Sequence, residues 1–96
     1  MKPLNIDPEA AEEVNAASRW YEEQRDGLGD KFFGAVLIEL SAIQAMPKRF
    51  PLYSKREPVR YSALQHFPYV ILFRELDEEI QILNCEHTHK RPRFWG

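Results

Sequence analysis

The residues best suited to chemistry lie in the second half of this 96-residue chain. Arg60 and Arg74 carry guanidinium groups that bind phosphate, and His87 carries an imidazole, the side chain that most readily exchanges protons near neutral pH. The ending adds more cations and two aromatic rings, in the order His87-Thr88-His89-Lys90-Arg91-Pro92-Arg93-Phe94-Trp95. Cations beside a proton donor or acceptor suit chemistry at a phosphate. We expect Arg60, Arg74 and His87 to be the candidate catalytic residues of such a site.

A metal site is the second chemistry that the ending suggests. Cys85, His87 and His89 alternate, so on a strand they would share one face and offer a thiolate and two imidazoles. No fourth ligand stands at motif spacing, and Thr88 and His89 are expected to lie beyond the end of the strand. We therefore expect no bound metal and no cofactor.

Length and composition indicate a single domain over residues 1–96, with 44% apolar and 29% charged residues. The sequence has no apolar run of the ~20 residues that a membrane helix needs, and its start is acidic and does not resemble an export signal. A single cysteine excludes an internal disulfide and suits a reducing compartment. We expect a cytoplasmic protein.

Charge is divided unevenly along the chain. Residues 1–46 hold 4 basic and 9 acidic side chains, a net charge of −5, whereas residues 47–96 hold 9 basic and 6 acidic, a net charge of +3. The basic half is where the candidate site lies, which weakly indicates an anionic partner for that surface.

Two helices are predicted in the first half. Asp7 is a suitable N-cap, Pro8 suits the first helical position, and Pro47 ends the second helix. Asp26-Gly27-Leu28-Gly29-Asp30 separates the helices and offers two glycines for left-handed backbone. The predicted buried stripes are Ala10, Val14, Ala17 and Tyr21 on the first helix and Phe32, Val36, Leu40 and Ile43 on the second, which Phe33 and Leu37 widen. The residues predicted to face solvent on the first helix are Glu12, Glu13, Arg19 and Glu23.

Strands are predicted over Lys2–Ile6, Val59–Leu64, Tyr69–Glu75 and Glu79–Glu86, with a loop over residues 50–58. The middle run, from Tyr69 to Phe73, is apolar on both faces, as in a central strand. The predicted fold class is α+β: a short N-terminal strand, an antiparallel helical hairpin and a three-stranded antiparallel meander, in the order β-α-α-β-β-β.

The order of several features resembles the RelE/ParE superfamily of bacterial toxins along nearly the whole chain, and within it the ParE-like branch of plasmid stabilisation proteins. The features are Trp20-Tyr21, the Gly-Leu-Gly turn, Pro47, Val59-Arg60, Phe67-Pro68-Tyr69, and His87 with Pro92 and Trp95. In that branch the last strand commonly leads into His-x-x-Arg-x-Pro-x-x-Trp, and here Lys90 replaces the arginine. The resemblance implies a toxin that arrests growth and is silenced by a cognate antitoxin, as a toxin–antitoxin hetero-oligomer, with a homodimer as another possible assembly.

The resemblance leaves two targets open. ParE relatives poison DNA gyrase, and RelE relatives are ribosome-dependent endoribonucleases that cut mRNA without a metal. For a nuclease, Arg60 or Arg74 would bind phosphate, His87 would act as acid or base, and Tyr61 or Tyr69 would stack on a base. The remaining candidate binding residues are Lys90, Arg91 and Trp95. The lysine pair of ribosome-dependent members has only Lys55 as a near match and the tail lacks a tyrosine, so a growth inhibitor that acts by binding is preferred. A third alternative is a non-toxic module that binds an antitoxin-like peptide.

Overall fold

The computed structural model describes residues 1–53 and 58–89. Its elements are β1 (Leu4–Ile6), α1 (Pro8–Gln24), α2 (Leu28–Ala45), a 3-10 turn (Pro47–Arg49), β2 (Arg60–Ala63), β3 (Tyr69–Glu75) and β4 (Ile80–His87). This order confirms the predicted α+β class, and each predicted strand is found within two residues of its expected bounds. Within the described residues, neither helix combines the length and the apolar character needed to span a membrane.

The four strands form one sheet in the order β1-β4-β3-β2. β2, β3 and β4 make the predicted antiparallel meander, whereas β1 pairs in parallel with β4, with Leu4 opposite Ile80 and Ile6 opposite Ile82. The sheet is therefore mixed. The helical hairpin connects β1, at one edge of the sheet, to β2 at the opposite edge, where the meander begins. β3 and β4 are the two inner strands.

The helix α1 begins where Asp7 and Pro8 predict it. Asp7 has the extended backbone of an N-cap residue and Pro8 is the first helical residue, but the Asp7 side chain makes no capping hydrogen bond. Its Oδ1 accepts a hydrogen bond from Gln81 Nε2 at 2.9 Å instead. The predicted capping role of this side chain is thus wrong, because the neighbouring strand β4 supplies a better-placed donor.

The turn between the helices uses its two glycines differently. Gly27 has a φ of 86°, in the left-handed region, as predicted. Gly29 does not, since it lies buried in the first turn of α2, where a Cβ would come within 2.6 Å of the Ser18 carbonyl oxygen. Glu22 accepts hydrogen bonds from both glycine N–H groups at 3.0 Å. A side chain of α1 thus provides acceptors for N–H groups at the start of α2, which have no partner within that helix. Gly29 is therefore required for close approach of the helices.

The predicted helical stripes form most of the core. Phe32, Val36, Leu40 and Ile43 are buried against Ile71, Phe73, Ile80 and Ile82 of the sheet, together with Ala10 and Ala17 of α1. Phe33 and Leu37, predicted to widen the stripe, are instead 44% and 48% exposed. These two side chains project to solvent, because only the positions just before them on α2, Phe32 and Val36, face the sheet.

The prediction that the Glu13 side chain faces solvent is wrong. Its Oε1 accepts hydrogen bonds from the Cys85 N–H at 2.8 Å and from Asn84 Nδ2 at 3.3 Å, and the side chain is half-buried. β1 ends at Ile6, opposite Ile82, so the edge of β4 beyond that point has no neighbouring strand. The Glu13 carboxylate supplies the acceptor that a longer β1 would have provided.

Candidate functional site

Arg60 and Arg74 lie on opposite faces of the sheet. Arg60 stands opposite Phe73, which is completely buried on the face that the helices cover. Arg74 is the next residue along β3 and stands opposite Gln81. Because side chains alternate along a strand, Arg74 lies on the face away from the helices. The two guanidinium groups therefore do not share a binding surface.

Arg60 is used to hold the chain that leads into the sheet. Its Nη1 donates a hydrogen bond of 2.6 Å to the Phe50 carbonyl oxygen, and the Phe50 ring packs edge-on against Phe73 at 5.7 Å. This arrangement fixes the segment after the 3-10 turn against the start of β2. Arg60 thus has a structural partner of its own.

Arg74 belongs to a short chain of polar side chains. Its Nε donates to Gln81 Oε1 at 2.8 Å, and Gln81 Nε2 donates in turn to Asp7 Oδ1. The next residue of β3, Glu75, forms ion pairs with Lys2 and Lys48. Arg74 remains half-buried on the outer face, the face of the sheet opposite the helices.

His87 lies at the other end of the sheet. It stands opposite Tyr69, four residues along β3 from the position of Arg60, which is about 13 Å at the usual rise of a strand. Its Nδ1 accepts a hydrogen bond from the His89 N–H at 3.0 Å, beyond the end of β4. Strand register therefore does not bring the three candidate catalytic residues together. Arg74 lies on the face opposite to Arg60, and His87 shares the face of Arg60 but lies at the other end of the sheet.

The two candidate stacking tyrosines are also divided between the faces. Tyr61 lies on the outer face, opposite Leu72, with its ring 5.8 Å from that of Tyr53. Tyr69 lies on the helix side in an aromatic cluster with Tyr21, Phe32 and Phe67. Burial in this cluster, followed by the proximity of Tyr21 and Cys85, raises the pKa of Tyr69. Its ring already packs in the protein.

Four residues singled out from the sequence, Lys55, Lys90, Arg91 and Trp95, lie outside the described residues. In residues 1–53 and 58–89, no group of three His, Cys, Asp or Glu side chains is placed to hold a metal ion. Cys85 is buried in the core, and this burial, then Glu13 and Glu86, raises its pKa to about 12. The thiol is thus protonated at neutral pH and is a poor metal ligand there.

An apolar groove on the helical hairpin was not identified from the sequence. It has a volume of about 240 Å³, walls from α1 and α2, and a floor that reaches Ile71 and Ile82 of the sheet. Ile6, Phe33 and Leu37 stand at its margin with 43%, 44% and 48% of their surfaces exposed. The signal was present as a helix α2 with more apolar positions than one buried face needs. We call this feature the hairpin groove.

No family model and no curated protein matches this chain. A solved structure described as the chromosomal ParDE TA system from P. aeruginosa does match, with a TM-score of 0.76 and 22% sequence identity. The match covers 93% of this chain and 98% of that chain.

The match shows the fold of this chain and no more. The chain has the α+β fold of the matched structure, with the order of elements that the resemblance implied.

Proposed function

We propose that this chain is the toxin component of a type II toxin–antitoxin system, acting in the cytoplasm and silenced by a cognate antitoxin. The observation that carries the proposal is the fold, which matches a chain of a ParDE TA system over 93% of the length. The resemblance in sequence motifs points the same way, from His87 back to Trp20-Tyr21. The antitoxin would be the partner that keeps the toxin inactive.

The hairpin groove is the proposed docking place of the antitoxin. A groove between two helices with exposed apolar side chains at its margin fits the apolar face of an amphipathic segment. Phe33 and Leu37 are separated by one helical turn, so they form a continuous ridge along α2. Covering this ridge would remove the apolar surface that the hairpin leaves in water.

The proposed mode of action is binding to a macromolecular target, with DNA gyrase as the first candidate. The separation of Arg60, Arg74 and His87 supports this choice, because cleavage of RNA without a metal needs a proton acceptor, a cation and a proton donor around one phosphate. A ribosome-dependent endoribonuclease remains the alternative, and a non-toxic antitoxin-binding module is the third.

The proposal is tested by expressing the chain from an inducible promoter, alone and together with the product of any small reading frame found to adjoin its gene. We expect growth arrest that the second protein relieves. A Phe32→Asp variant is the control, because it places a charge at a completely buried position and should abolish both the fold and the arrest.

The cellular process that fails first in arrested cells distinguishes the three proposed functions. Broken DNA with intact transcripts would support gyrase as the target, whereas early loss of translation with cut transcripts would support the endoribonuclease. Unimpaired growth, together with tight binding of the adjoining protein, would favour the non-toxic module.

A further inference from the structure

A second pocket lies on the other side of α1, where β3 and β4 end. It has a volume of about 590 Å³ and is open at the surface. Trp20, Tyr69 and His87 contribute rings to its lining, and the Trp20 side chain is 55% exposed. The Tyr69 and His87 rings meet edge-on with their centres 5.0 Å apart. We call this feature the α1 pocket.

One carboxylate of the α1 pocket is held in place and only half satisfied. Both hydrogen bonds to Glu13, from Cys85 N–H and Asn84 Nδ2, end on Oε1. Oε2 has no hydrogen-bond or ion-pair partner among the residues that the structure describes. A cation that reaches Oε2 would meet a charged acceptor that the two hydrogen bonds to Oε1 already hold in position.

The described lining of the α1 pocket offers Glu13 no cation. No lysine or arginine of the described ranges lines this pocket. The first half of the chain, which supplies α1, carries a net charge of −5. A ligand that complements the α1 pocket is therefore a cation with a surface that can lie against aromatic rings.

We propose that the α1 pocket binds an arginine side chain of a protein partner, with its guanidinium group bonded to Glu13 Oε2 and placed against the Trp20 ring. A guanidinium is planar, stacks on aromatic faces and donates several N–H groups, so it suits a pocket lined by both a carboxylate and a tryptophan better than an ammonium does. This inference rests on the proposed function, because the antitoxin is the partner expected to supply the arginine.

The position of the α1 pocket favours a partner chain as the source of the arginine. α1 forms one wall of the hairpin groove through Ala10 and Val14, and one wall of the α1 pocket through Glu13 and Ala17. A segment leaving the groove has only to cross α1 to reach Trp20. The exposed side chains of α1 at the crossing include Ala11 and Ala16, which leave room for such a chain.

The inference is tested with the complete chain and a small probe. The Trp95→Phe variant leaves Trp20 as the single tryptophan of the chain, so its indole N–H gives one nuclear magnetic resonance signal. This protein is titrated at constant ionic strength with N-acetyl-arginine amide, and in parallel with the neutral isostere N-acetyl-citrulline amide. We expect saturable shifts of the Trp20 indole and Cys85 amide signals with the arginine probe and none with citrulline.

A matched pair of variants assigns the effect to one carboxylate. Glu13→Gln keeps an oxygen that can accept the Cys85 N–H but removes the charge, and we expect at least a tenfold loss of affinity for the arginine probe. Glu23→Gln removes an exposed carboxylate from the same helix and should leave the affinity unchanged. If Glu13→Gln does not fold, Trp20→Leu replaces it, followed by the Cys85 amide signal alone, and the same loss is expected.

Equal shifts with arginine and citrulline would overturn the inference, as would no saturable shift with arginine or an affinity that neither Glu13→Gln nor Trp20→Leu alters. Equal affinity for N-acetyl-lysine amide would overturn the choice of a guanidinium. The titration contains no antitoxin, so a negative result leaves growth arrest and its relief to decide the proposed function separately.

Discussion

Arg60 and Arg74 stand on adjacent strands but on opposite faces of the sheet, since Arg60 is opposite Phe73 and Arg74 is the residue after it. Arg60 is bonded to the Phe50 carbonyl oxygen and Arg74 to the Gln81 side chain. A single phosphate group cannot contact both guanidinium groups in this arrangement. Arg60 and Arg74 therefore do not form a shared phosphate-binding site.

Arg60 is expected to contribute to stability. Arg60→Met leaves the Phe50 carbonyl oxygen without its donor, and we expect the free energy of unfolding to fall by about 1.5 to 3 kcal/mol, as for the loss of a hydrogen bond from a charged group. Arg74→Met, on the outer face, is expected to cost less than about 1 kcal/mol. Urea unfolding of both variants measures the difference. Unchanged stability of Arg60→Met with lost growth arrest would instead place Arg60 in a contact surface.

Glu75 is expected to make stability depend on acidity below pH 4.5. Hydrogen bonds from Lys48 at 2.7 Å and from Lys2 at 2.9 Å lower the pKa of Glu75 from 4.5 to about 2. Because the pKa is lower in the folded state, the stabilisation is fully present above pH 4.5 and is lost as the pH falls toward 2.

The measurement for Glu75 is the melting temperature of the wild-type chain and of Glu75→Gln from pH 7 to pH 2. We expect Glu75→Gln to melt at a lower temperature at pH 7 and the difference to shrink below pH 4.5. Glu78→Gln, an exposed residue of the next turn, is the control and should follow the wild type. A constant difference across the whole range would show that the ion pairs do not act in this way.

Gly29 and Gly34 of α2 are expected to respond in opposite directions to alanine. At Gly29 a Cβ would lie 2.6 Å from the Ser18 carbonyl oxygen, so α1 and α2 must separate, at a cost of about 1 to 3 kcal/mol. At Gly34 a Cβ meets nothing within 4 Å, so the better helix propensity of alanine should add about 0.5 to 1 kcal/mol. Thermal unfolding of the two variants checks both signs, and stabilisation by Gly29→Ala would contradict the close approach of the helices.

Leu37 is expected to affect neutralisation and not the fold. Leu37→Asp places a charge on the exposed ridge of the hairpin groove, so we expect at least a tenfold loss of affinity for the antitoxin and growth arrest that co-expression relieves poorly. Leu76→Asp, at an exposed leucine in the turn between β3 and β4, is the matched control. Titration calorimetry with the purified antitoxin measures the affinity. Equal binding by wild type and Leu37→Asp would exclude the groove as the docking place.

The elements of this fold are well predicted because their signals are local. Asp7 and Pro8 mark the start of α1, Pro47 stops the chain from continuing α2, and the apolar run from Tyr69 gives the bounds of β3 correctly. Each signal acts through the backbone of a residue and its near neighbours, so no knowledge of the rest of the chain is needed. The helical stripe from Phe32 to Ile43 is predicted for the same reason, since its spacing follows one helix.

The candidate site could not be predicted in the same way, because its geometry depends on pairs far apart in sequence. Whether Arg60 and Arg74 share a face depends on the register of β2 against β3, which the apolar face of the whole sheet decides. The role of Glu13 depends on β1 ending early beside β4, more than 70 residues further along the chain. Local propensity carries no information about such distant partners. The sequence by itself determined which elements form and in which order, and only the tertiary structure decided which side chains meet.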